Sequence, residues 1–212
     1  TKFTDELLFF LKSQQFDNLN IVHASGFLDD RLFKNLSSES INKVILTKVK
    51  PAIELIDGCK KQKISINAML FLSSAASTFG SPGQSNYASA NAFLEAVILN
   101  LRFSGINATA IALSPVNETM MAKKSRLLKQ HPSIGLDIKE VVNILLKALK
   151  FKMPAVFTVI NKAFLQEVKK QVVLKSWFMS LPEIKVIVPN DVDFCDLVNS
   201  LDKMSQVERI EK

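Results

Sequence analysis

The 212-residue sequence is 48% hydrophobic, enough for a buried core and too much for a disordered chain. Its two cysteines and two histidines are too few and too scattered for a disulfide framework or a zinc cluster, and no apolar run approaches the roughly 18 residues of a membrane span. The net charge of +7 lacks the aromatic interleaving of a nucleic-acid surface, so it reads as a solvated face with some pull on anionic partners.

The chain opens on Thr1 and not on methionine, and is expected to be a piece of something longer. Residues 5–13 place Leu7, Leu8 and Leu11 at helical spacing, and residues 19–24 form a short apolar strand ending at Ser25-Gly26. Residues 38–48 and 51–61 read as two successive helices, with Pro51 in the first turn of the second. A buried strand follows over 64–72, a turn cluster over 80–84 and a strong helix over 86–102. Residues 106–113 predict a strand, 138–151 an amphipathic helix and 155–160 a last strand. This alternation predicts a parallel α/β sheet with helices on both faces. Its ligand belongs at the carboxyl ends of the strands, at Ser25-Gly26, Ser73-Ser74 and Ser114-Pro115. Residues 1–170 form the expected domain, and 171–212, helix-like over 194–204, read as a docking tail or linker. Absence of a signal peptide and scarcity of cysteine point to a reducing, cytoplasmic setting.

Three polar side chains fall where such a sheet binds ligands. Ser74 follows a buried strand, Tyr87 opens the next helix, and Asn91 lies four residues on, on the same helix face. Two hydroxyls converging on one carbonyl oxygen suit hydride delivery to a ketone, because the oxygen becomes an alkoxide and takes a proton. A phenol of ordinary pKa, about 10, needs a nearby cation to become a better acid. Spacing by itself also fits a half-buried tyrosine with a satisfied hydroxyl.

The surrounding segments carry more information. LFLSSAASTFGSPGQSNYASANAFL (70–94), VHASGFLDD (22–30) and IALSP (111–115) resemble the ketoreductase domains of type I modular polyketide and fatty-acid synthases, within the short-chain dehydrogenase/reductase superfamily. The resemblance runs over about residues 5–165. It implies a Rossmann-like doubly wound parallel sheet and NADPH as cofactor. It also implies reduction of a β-ketoacyl thioester on an acyl carrier protein to a 3-hydroxyacyl thioester, beside other synthase domains in the same polypeptide. Tyr87 becomes the proton donor, Ser74 a second hydrogen bond to the same oxygen, and Asn91 the holder of a proton-relay water. In ILTKVK (45–50) the matching lysine is Lys48, with Lys50 as competitor; its cation is expected to lower the tyrosine pKa and to contact the nicotinamide ribose. Ser25, Gly26, Pro115 and Val116 line the cofactor together with Lys48 and Tyr87. Leu28, Asp29 and Asp30 match the Leu-Asp-Asp motif of the B-type reductases, whose product has the D configuration, and Phe79, eight residues before the tyrosine, stands where A-type enzymes carry tryptophan; the two aspartates also read as a solvated turn or a helix-capping pair.

Two departures stand out. Ser114-Pro115-Val116 replaces the family's Gly-Pro-Trp, and none of the six glycines forms the Gly-x-Gly-x-x-Gly loop that holds a pyrophosphate. The first strands and that loop are therefore expected upstream or missing, and the chain by itself is expected to be inactive. A non-catalytic structural half of a ketoreductase and a free-standing short-chain dehydrogenase remain the alternatives.

Overall fold

A computed structural model of the chain describes residues 2–14, 16, 19–124, 128–129 and 131–169. The expected tail over 171–212, with its helix-like 194–204, lies outside the described residues. Helix α1 (Lys2–Ser13) precedes strand β1 (Asn20–His23), and α2 (Ser38–Gln62) crosses to β2 (Ala68–Ser74). Helices α3 (Ala75–Phe79) and α4 (Ser85–Phe103) lead to β3 (Ala108–Leu113). Helices α5 (Met120–Lys124) and α6 (Ile138–Lys150) come before β4 (Val156–Val159), and α7 (Lys162–Lys169) follows it.

The described strands form one sheet in the order β1-β2-β3-β4. β1 pairs parallel with β2, setting His23 beside Phe71, and β2 pairs parallel with β3, setting Ser74 beside Leu113. Parallel pairs need long crossovers, which α2 and the α3–α4 segment provide. Every residue of β3 is buried, so both faces of that strand are covered. On one face Val44, Ala52 and Ile56 of α2 and Leu94 and Ile98 of α4 close over Met69, Phe71, Ala108 and Ala110. Gly58 lets α1 approach α2, because a Cβ there would lie 2.1 Å from Leu8 Cδ1. The expected parallel α/β architecture is the one observed.

The chain divides into two compact units: residues through Leu113 with Leu145–Thr158, and Ser114–Ile144 with residues from Val159 on.

One element differs from its expectation. The two helices expected on either side of Pro51 are a single helix, α2, with Pro51 inside it. An interior proline lacks the N–H that would bond the carbonyl four residues earlier, here that of Thr47. In this fold the Ser25 hydroxyl donates to the Thr47 carbonyl at 2.6 Å. The acceptor that proline orphans is thus satisfied from outside the helix, and the helix runs on.

Candidate active site

The site is assembled within the first unit from the ends of β1 and β2 and the facing sides of α2 and α4. Ser74 ends β2 and caps α3: its Oγ accepts from the Ala76 N–H at 3.2 Å. With that acceptor role filled, the Ser74 hydroxyl proton is left to donate. Tyr87 is buried on the first turns of α4, and Asn91 is fully buried one turn later. Asn91 Nδ2 donates to the Tyr87 carbonyl at 2.8 Å, while its Oδ1 is buried without a partner among the described residues.

Lys48 is only 2% exposed. Its Nζ donates to the carbonyls of Leu72, at 2.8 Å, and Ser25, at 3.3 Å, and lies 5.8 Å from the centroid of the Tyr87 ring. Lys50 points elsewhere: it is half exposed and faces Glu54 at 3.8 Å. Of the two candidate lysines, the fold brings Lys48 to the tyrosine.

Electrostatics follow from burial. Lys48 is lowered to about 8, because burial disfavours the ammonium more than the Glu95 carboxylate favours it. The Tyr87 phenol is pushed up by burial, against the opposing hydrogen bonding of Asn91 and Ser74. The lowering expected from the neighbouring Lys48 cation is opposed by burial, which disfavours the phenolate and sets the net direction at Tyr87.

Glu95 is a site neighbour that the motif did not reveal. Its Oε1 accepts from the hydroxyls of Ser73 and, at 2.6 Å, Ser77. The available signal was its position on α4, four residues after Asn91, which extends the Tyr87–Asn91 face by one turn. His23, at the end of β1, is buried against Phe71, with neither ring nitrogen partnered among the described residues. Its pKa falls to about 4, from burial first and the Lys48 charge second.

The segment after β1 lies along the segment that leads into Tyr87. The Arg31 N–H donates to the Gly83 carbonyl at 2.7 Å, Asn86 Nδ2 to the Asp29 carbonyl at 3.0 Å, and Gln84 Nε2 to the Asp30 carboxylate at 3.0 Å. Leu28 packs on the main core, while Asp29 also holds Arg31 at 3.0 Å. Phe79 is buried at the end of α3, so of the two elements expected to flank the entrance only 28–30 is partly open. Gly83, at φ +80°, holds a backbone shape that side-chain-bearing residues rarely take.

Pro115 and Val116 belong to the second unit. There the Leu136 N–H donates to the Pro115 carbonyl at 2.8 Å, and Val116 bridges Leu136 in parallel. Ser114 Oγ is buried and unpartnered among the described residues.

The donor set fits the nicotinamide end of a dinucleotide and not its phosphates. A buried cation, a phenol, a donor hydroxyl and an orphaned amide oxygen suit a ribose and a carboxamide. The loop after β1 instead carries Asp29 and Asp30, which repel phosphate, and among the described residues no glycine-rich turn opens a helix after a strand. Likewise no group of metal ligands occurs among the described residues, and no described helix is long and apolar enough to cross a membrane.

Known proteins share parts of this sequence and of this fold. The family model described as the KR domain matches residues 11–118. The spectinabilin polyketide synthase system protein NorA′ of Streptomyces orinoci is 40% identical over 99 residues, 47% of this chain and 3% of that protein. The 6-methylsalicylic acid synthase of Aspergillus terreus is 36% identical over 91 residues, 43% of this chain and 5% of that protein. The matched stretch is thus a few per cent of each relative's length. Among solved structures, the first ketoreductase of the tylosin PKS aligns with a TM-score of 0.67 at 26% identity, over 79% of this chain and 37% of that one. A small-chain dehydrogenase in complex with NADPH shares the fold, at TM-score 0.62 and 15% identity, over 76% of this chain and 80% of that one.

Proposed function

Since the chain belongs to the KR domain family of polyketide synthases, we propose that it reduces the β-ketone of an acyl thioester carried on an acyl carrier protein to a 3-hydroxyacyl thioester, with NADPH as reductant. The observation that carries this reading is the convergence of Ser74, Tyr87, Asn91 and a buried Lys48 at the ends of two adjacent parallel strands. NADPH, when bound, supplies the hydride that adds to the ketone carbon.

The protein's own residues handle the oxygen. The Ser74 hydroxyl, already an acceptor from Ala76, donates to the ketone oxygen and orients it. As charge grows on that oxygen, the Tyr87 phenol passes its proton across. Burial keeps the phenol protonated until then. The phenolate left behind is stabilised by the Lys48 ammonium, held in place by the Leu72 and Ser25 carbonyls. A pKa of about 8 leaves that ammonium largely charged at neutral pH. Asn91 Oδ1, buried and unpartnered, accepts from a water that returns the proton to Tyr87. Ser25, Gly26, Lys48 and Tyr87 would hold the nicotinamide ribose end.

The product is assigned the D configuration. Leu28-Asp29-Asp30 is the B-type element, and its hydrogen bonds to Gln84 and Asn86 fix it beside the segment that leads into Tyr87. The remaining synthase domains lie in the same polypeptide, and the chain's basic surplus favours an acidic carrier. Incubating the full-length protein with NADPH and a β-ketoacyl N-acetylcysteamine thioester tests the reading. A product heavier by two hydrogens supports it, and no turnover with any β-ketoacyl thioester overturns it.

A further inference from the structure

Pro51 and Ser25 are far apart in sequence, yet they act on one atom. Pro51 withholds the N–H that the Thr47 carbonyl would accept inside α2, and the Ser25 hydroxyl supplies a donor to that carbonyl at 2.6 Å. Thr47 directly precedes Lys48, and the Ser25 carbonyl is one of the two acceptors that hold the Lys48 ammonium. Ser25 therefore makes two opposite contacts with one turn of α2: its hydroxyl donates a hydrogen bond to the helix backbone, and its carbonyl accepts one from the Lys48 side chain.

We propose that Ser25 is a positioning residue for Lys48, its hydroxyl replacing the hydrogen bond lost at Pro51 and clamping the loop after β1 to the turn that carries the lysine. The catalytic consequence rests on the ketoreductase reading above. The clamp works through geometry. Without the hydroxyl, the Ser25 carbonyl is no longer tied to α2, and at 3.3 Å it is already the longer of the two bonds to the ammonium. Losing it leaves Lys48 with the Leu72 carbonyl alone in a buried setting, which disfavours the charged form. The other titratable groups facing Lys48 are Glu95 and Tyr87 from α4 and His23 from β1; β2 and α3 contribute none. Neither Ser25→Ala nor Pro51→Ala alters them.

Pro51 makes the inference separable from a merely structural role. Pro51→Ala returns an N–H to the Thr47 carbonyl but cannot tie the loop after β1 to the helix. In the full-length protein, the Lys48 13Cε resonance, assigned by its loss in Lys48→Met, is followed against pH, and the melting temperature is recorded. Ser25→Ala is expected to lower both the melting temperature and the Lys48 midpoint, the latter by roughly half a unit to one unit. Adding Pro51→Ala is expected to restore the melting temperature and leave the midpoint low. The double variant also carries the test if Ser25→Ala fails to fold. The alkaline limb of kcat should move down with the midpoint, with the KM for the thioester unchanged. An unchanged Lys48 midpoint in the Ser25→Ala variants overturns the proposal, as does recovery of the midpoint in the double variant. Absence of ketone reduction in the wild type would sink the ketoreductase reading alone, because the resonance titration needs no turnover.

Discussion

Replacing Lys48 by methionine keeps the length of the side chain and removes the charge. Wild-type Lys48 is 2% exposed and its pKa falls from 10.5 to about 8, so burying it charged costs about 3 kcal/mol at neutral pH. The folded-state pKa lies below the unfolded one, which sets the sign. Below about pH 8 both states hold the proton and the penalty is complete. Between pH 8 and 10.5 the unfolded chain keeps a proton that the folded chain has shed, so wild-type stability rises with pH. Lys48→Met also strands the Leu72 and Ser25 carbonyls, at about 1–3 kcal/mol each, but that cost does not depend on pH. Urea unfolding followed by circular dichroism, at steps from pH 7 to 10.5, isolates the charge. The stability difference between the proteins should shift by about 3 kcal/mol in favour of wild type across the window. Parallel stability curves would refute a buried, charged lysine.

In full-length protein, Tyr87→Phe should lower ketone reduction by at least about 10²-fold while cofactor binding, read by nicotinamide fluorescence, persists. Ser74→Ala should cost on the order of 10²-fold in kcat. It should also cost about 1 kcal/mol of stability by calorimetry, because it removes the cap bonded to Ala76. His23 is buried neutral, with its pKa lowered from 6.5 to about 4, so its contribution is complete above pH 6.5 and falls by about 3 kcal/mol as pH drops to 4; His23→Phe should flatten the acid limb of unfolding. Chiral chromatography of the product should show the D-hydroxy isomer, and a predominantly L product would rule out steering by Leu28-Asp29-Asp30.

The alternation of apolar strands with long helical stretches carried the parallel sheet, because a buried strand such as β2 must be apolar on both faces. Ser74, Tyr87 and Asn91 were legible for a related reason: the end of a strand and two positions one helical turn apart are fixed by local geometry. Choosing between Lys48 and Lys50 was not local. Their neighbours in sequence are alike, and only the packing of α2 against β1 and β2 makes one buried and the other half exposed. Pro51 misled the reading in the same way. Its rule is local, but the donor that overrides it, Ser25, comes from another strand end. The rise of the Tyr87 pKa, and the pairing of Glu95 with Ser73 and Ser77, likewise depend on burial and on contacts that no spacing encodes.

Hydride transfer can be followed directly. Full-length protein is given NADPH deuterated at the transferring position of the nicotinamide and a β-ketoacyl thioester, and the product is read by mass spectrometry. The proposed chemistry places one deuterium on C3 of a 3-hydroxyacyl thioester with wild type and almost none with Tyr87→Phe. No deuterium at C3 with the wild type, or equal incorporation in the two proteins, would contradict a ketoreductase site built on Ser74, Tyr87 and Lys48.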